Sequence, residues 1–284
     1  MKYDTDSNLE EILARYRRTL DLLRDFGIRL PDSSRLCVYH KRMASTLSQQ
    51  GQQLVLKGQQ ADQILFDSRE MDEISLIVEN LQTNPTATEL AKLQVMVGGS
   101  ENPDSDHTTK ARDTQFELFL YAAFRNAGAI VNLEEPDLIV SSEGIVFPIA
   151  AKRPTSRERI DDKLRRAVSQ LERSDRLGVA ALSLDQVIRP REAILSVPDR
   201  DSLGPSVQLE MHKFLSSNLR TIVKRVRNKP LAALLFVLRS PARAQDTNLS
   251  LLGSALNLAP IDALEQPGAE VVTVLQKLLL KFDL

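Results

Sequence analysis

The chain has 284 residues, 42% of them hydrophobic and 26% charged, the composition of a soluble globular protein with one large or two modest domains. A formal net charge of −1 supplies no global field that would draw the chain to nucleic acid, so any basic surface must be local. The single cysteine, Cys37, excludes an intramolecular disulfide and a cysteine-rich zinc site.

The first residues hold no apolar run of the secretory type, and the longest apolar run, Leu231 to Leu238, is too short to span a bilayer. A cytoplasmic protein without a membrane segment is the expectation. Leu9, Ile12, Leu13, Tyr16, Leu20 and Leu23 recur at helical spacing, so 7–26 reads as an amphipathic helix, opened by a Ser7/Glu10 capping box and ended by Gly27 and Pro31. Further helices are expected over about 33–50, around Met71, Ile74, Val78 and Leu81, and over 86–97. Residues 1–97 thus form a helical N-terminal region, and the turn formers of 98–106 open a linker drawn at 98–110.

After this linker the pattern changes to α/β. A helix over 111–126 turns Phe116, Leu120, Ala123 and Phe124 to a core and carries Glu117 beside that stripe. A short strand at Ile130–Val131 follows. Leu138–Val140 and Ile145–Phe147 read as two strands about a Ser141–Gly144 turn, and Pro148 suggests an edge position or a bulge. A helix from the Thr155/Glu158 capping box to about 175, a buried strand at 179–184, a helix at 208–227 and a strand at 231–238 complete the pattern. Residues 241–268 read as loop with a helix at 249–257, and a last apolar helix covers 271–282.

Pro136–Asp137 at the start of the hairpin's first strand and Lys152 at the end of its second resemble the PD-(D/E)XK nuclease superfamily. The resemblance covers roughly 111–185. It implies a restriction-endonuclease-like core, a mixed sheet flanked by helices, occupying 111–284. Strand side chains alternate, so positions 150 and 152 share a face. The family carries Asp or Glu at the first of these, and this chain has Ala150.

The resemblance also implies roles. Asp137 becomes a ligand of Mg²⁺ or Mn²⁺, Lys152 orients water or stabilises developing charge, and Gln170 matches a glutamine on the following helix. Glu117, on the preceding helix, is the candidate for the missing carboxylate and a second metal ligand. Hard oxygen ligands suit Mg²⁺, which needs only one or two carboxylates besides water and phosphate. Arg153, Lys163, Arg166 and Arg173 lie close in sequence as candidates for phosphate contact, and Lys224–Lys229 forms a second basic cluster.

Two functions follow as expectations. One is a metal-dependent DNA endonuclease of restriction, phage defence or repair. The other is a nuclease-fold module without catalysis that binds nucleic acid or assembles with partners. The N-terminal helices are the place left for a homo-oligomer or a partner protein.

Overall fold

The computed structural model describes residues 9–50, 58–81, 84–102, 105–188, 194–246, 250–261 and 268–282. Contacts divide the chain into two compact units, Met1–Ala122 and Ala123–Leu284.

The first unit is helical: α1 (Leu9–Asp25), α2 (Arg35–Gln50), α3 (Gly58–Glu79), α4 (Ala87–Met96) and most of α5 (Lys110–Asn126). Ser7, expected to cap the first helix, lies outside the described residues. Apolar residues at helical spacing make the contacts: Tyr16, Leu20 and Leu23 from α1, Leu36, Tyr39 and Met43 from α2, and Met71, Ile74 and Val78 from α3. A Thr86/Glu89 capping box opens α4.

Polar side chains share this interior. Glu70 accepts from Arg35 Nη1 at 3.0 Å, Arg112 Nη1 at 2.6 Å and Arg69 Nη2 at 3.0 Å, and its side chain is wholly buried. Arg35 also donates to Gly98 O and Met96 O, and Arg112 to Ser100 O and Asp106 Oδ2. The Tyr39 hydroxyl donates to Glu101 O. Gly98, Ser100 and Asp106, in the stretch expected as a linker, are therefore tied into the first unit by buried guanidiniums. The contact boundary falls instead inside α5.

The second unit is α/β. Its seven-stranded mixed sheet runs β1 (Ile130–Asn132), β2 (Leu138–Ser142), β3 (Ile145–Lys152), β4 (Gly178–Ser183) and β6 (Leu231–Ala244). The first three strands pair antiparallel as a meander, and β3, β4 and β6 are parallel. β6 is long because two strands share one of its sides. β4 takes its first half and β5 (Leu195–Val197) pairs with Ala242–Ala244, while β7 (Ser250–Pro260) runs antiparallel along the other side. Helix α6 (Ile160–Leu171) and helix α8 (Leu203–Val226) pack on one face, where Leu164, Leu171, Met211 and Phe214 meet Leu182, Leu234 and Phe236. Helix α9 (Gly268–Leu279) packs against β3, β6 and β7. A short α7 (Asp185–Ile188) follows β4.

Three expectations need correction. Residues 250–257, in the stretch expected as a helix over 249–257, do not form one. They are most of β7, because eleven residues, mostly Leu, Ala, Ser and Gly, gain a full ladder against β6, and pairing overrides helix propensity. Pro148 is not on an edge, since β3 is interior. The Ala151 N–H points to the β2 side, so the N–H that Pro148 lacks falls on the β4 side, where pairing begins only at Ile149. The Thr155/Glu158 box does not open α6: a turn of 3-10 helix at Arg157–Arg159 precedes it, and Ser156, not Thr155, hydrogen-bonds Glu158.

Candidate active site

The hairpin sets the site. Between β2 and β3, Glu143 and Gly144 both take positive φ, 51° and 80°, the conformation that a two-residue hairpin turn needs. With that turn fixed, Leu138 pairs with Ile149. One step further the register brings Asp137 level with Ala150, and directly opposed residues point to the same face. Asp137 thus lies beside the strand end that carries Lys152.

The Asp137 carboxylate is held from two directions. Its Oδ2 accepts the Ala151 N–H at 2.8 Å and the Lys152 ammonium at 2.7 Å. The ammonium also donates to Ala151 O at 2.9 Å, so a carboxylate oxygen and a carbonyl oxygen receive the one cation. The Lys152 side chain is 12% exposed, deep enough to strengthen the pair and open enough to be reached.

Helix α6 supplies the third member. Leu164, Ala167, Val168 and Leu171 bury one stripe of that helix, and Gln170 stands beside it. Its Nε2 donates to Pro136 O at 2.9 Å and to Asp137 Oδ1 at 3.4 Å. Both partners are acceptors, which fixes the amide orientation, and Oε1 is left buried without a hydrogen bond. Asp137, Lys152 and Gln170 are therefore one cluster.

Ala150 is 0% exposed and packs with Ile160, Leu164 and Ala180 in the aliphatic core. It offers the site no polar group. Glu117 lies on the part of α5 that belongs to the first unit, where Oε2 accepts from Lys92 Nζ at 2.5 Å. Among the described residues no three His, Cys, Asp or Glu side chains gather to hold a metal ion.

The basic candidates divide. Arg153 is 2% exposed and pairs with Asp185 at 3.3 Å, while Asp185 Oδ1 accepts the Arg239 backbone N–H. Lys163 is buried on α6. Neither presents its charge on an open surface, because the β3 end and the α6 stripe turn them inward. Arg166 and Arg173 do stand exposed, Arg166 in an i,i+4 pair with Asp162. A groove of about 550 Å³ between α6 and α8 includes Asp161, Asp162, Arg165, Glu172, Arg225 and Lys229 in its lining. The acids there answer the bases: Arg225 pairs with Asp161, Lys229 with Glu172 and Arg165 with Asp162. A hydrogen bond from Arg165, and then the charge of Arg166, holds Asp162 below the usual carboxylate range. The second basic cluster is thus half neutralised by its own neighbours.

Two participants escaped the sequence reading. Backbone groups of Ala151 hold both charges, and no side-chain motif marks them. Asp185 anchors Arg153, signalled only by an acid just past a buried strand. No protein-family model matches the chain, and no curated protein and no solved structure matches it.

Proposed function

We propose that the chain hydrolyses phosphodiester bonds of DNA with a divalent cation, on a core of restriction-endonuclease type. The observation that carries this reading is the seat of the Lys152 ammonium, 2.7 Å from Asp137 Oδ2 and 2.9 Å from Ala151 O. Two hard oxygens already converge on a cation there. Asp137 and the Ala151 carbonyl fit Mg²⁺ or Mn²⁺ as a site weak in protein ligands, with water and substrate phosphate completing it. The ion, when bound, supplies a Lewis acid for the phosphate and a water of lowered pKa. Lys152 supplies a positive donor for charge developing on phosphate oxygens. Gln170 holds Asp137 and the Pro136 carbonyl in place. Exposed Arg166 and Arg173, on α6 and just beyond it, contribute phosphate contacts.

A second reading, a module that binds DNA without cutting it, is favoured by one observation: the wholly buried, apolar surroundings of Ala150. Cleavage of plasmid DNA in Mg²⁺ and in Mn²⁺ separates the two. Cutting by the natural chain, reduced about 100-fold or more in Lys152→Ala and in Asp137→Asn, is the expected result. Salt-dependent DNA binding with no cutting in either ion would transfer the conclusion to the second reading. Neither cutting nor binding would sink both.

A further inference from the structure

Among the described residues, strand β7 leaves the sheet with an edge that no other strand pairs. The Ile261 N–H donates to Ala232 O at 3.0 Å, one step beyond the Ala233↔Pro260 pair. Bonded pairs alternate along an antiparallel ladder. Gly253, Ala255, Asn257 and Ala259 therefore spend their backbone groups on β6, and Leu252, Ser254, Leu256 and Leu258 turn theirs outward. Among the described residues, β7 pairs with no strand but β6.

An edge of this kind usually carries protection: short length, charge, a bulge or proline. β7 has eleven residues, no charged side chain, and proline only at its last position. Its α8 face is closed. A Cβ at Gly253 would meet Val207 Cγ2 at 2.6 Å, and Ala255 and Ala259 lie in the aliphatic core. Leu252, Leu256 and Leu258 lie on the other face, only partly covered.

We propose that β7 pairs antiparallel with β7 of a second copy of this chain, making one sheet through both. The strand is complementary to itself. Without charge it sets no like charges opposite one another and gives a charged partner nothing to pair with. A two-fold axis at Ala255 puts Leu252 opposite the partner's Leu258 and Ser254 opposite the partner's Leu256. Each outward N–H and C=O of these four residues then finds a mate. Pro260, without an N–H, falls at the end of the ladder. Directly opposed residues share a face, so the leucines of both copies join on the partly covered side. A C2 interface of this isologous kind is the commonest form of homo-oligomer.

The test is the mass of the full chain by light scattering across concentration. A dimer of the 31.8 kDa chain is expected. Leu256→Lys should shift it to monomer with its melting temperature little changed. Ser254→Pro removes one outward N–H without touching the β6 ladder and should weaken the dimer at least 10-fold. Hydrogen exchange on the natural chain gives a readout free of mutation: the Leu252, Ser254, Leu256 and Leu258 amides should slow as concentration rises. A natural chain monomeric throughout, a dimer intact in both folded variants, or concentration-independent fast exchange at these amides would each overturn the pairing. None of these outcomes bears on whether DNA is cut.

Discussion

Two carboxylates are each gripped by cations, one in each unit, and they are built for opposite ends. Glu70 receives three guanidiniums in a site closed to water, and two of them, from Arg35 and Arg112, also bind the backbone of 96–100. Burial, and then the charge of Arg112, lowers the pKa of Arg35 against the pull of Glu70. Burial, and then Glu70, raises that of Tyr39. Asp137 accepts from the Lys152 ammonium, the Gln170 amide and the Ala151 N–H, and its lysine is still partly exposed. A saturated, dry carboxylate organises a fold. A carboxylate with a reachable cation and an amide oxygen still unsatisfied nearby can exchange partners.

The sharpest way to break that contrast is Glu70→Ala. It leaves three guanidiniums buried without their acceptor, and removing one member of a buried pair costs about 3–5 kcal/mol. Urea unfolding of the full chain measures it, and a loss below about 1 kcal/mol would put Glu70 with Asp137 rather than against it. Arg153→Ala comes next. It strands Asp185 and should cost about 2–3 kcal/mol in the same assay, with the salt dependence of DNA binding unaltered.

Lys152→Ala should cost only about 1 kcal/mol of stability, because its side chain is 12% exposed, while removing the cutting proposed above. A large loss of stability would make the Asp137 pair structural after all. Arg166→Ala combined with Arg173→Ala should leave the melt unchanged and flatten the slope of log affinity against log salt by about one per residue. The smallest effect concerns His40. It is half-buried on α2, and burial holds it below its ordinary 6.5. The unfolded chain then takes up the proton first, so its share of stability is complete above pH 6.5 and declines as pH falls below it. Melting curves from pH 7.5 to 5.5 should show that decline, and His40→Gln should reduce it.

Much of this was legible because it is local. The hairpin followed from two β-rich runs around Ser-Ser-Glu-Gly, and with its turn fixed Asp137 and Lys152 had to meet across it. The buried stripe of α6 followed from Ile160, Leu164, Ala167 and Val168 at helical spacing, and Gln170 stands one position before Leu171 on its flank. What depends on distant partners was not legible. Leu-Leu-Gly-Ser-Ala-Leu carries no strand signature of its own and becomes β7 only against β6. The charges of α3, Asp67, Arg69, Glu70 and Glu73, carry no burial signal in the sequence, yet all are buried, and cations from α2 and α5 reach Asp67 and Glu70. Lys163 lies four residues before Ala167, on the stripe itself, and its burial could have been read from that spacing.

The order in which the strands are written has a consequence for synthesis. Asp137, Lys152 and Gln170 leave the ribosome within one short stretch whose hairpin and helix need only local closure, so this cluster can assemble early. The β4 strand that follows is buried along its whole length, yet β6, which covers its far edge, comes some fifty residues later. Until then a nascent chain displays Val-Ala-Ala-Leu-Ser as an open, apolar ribbon. That interval is when the chain is most exposed to aggregation and has most need of a chaperone.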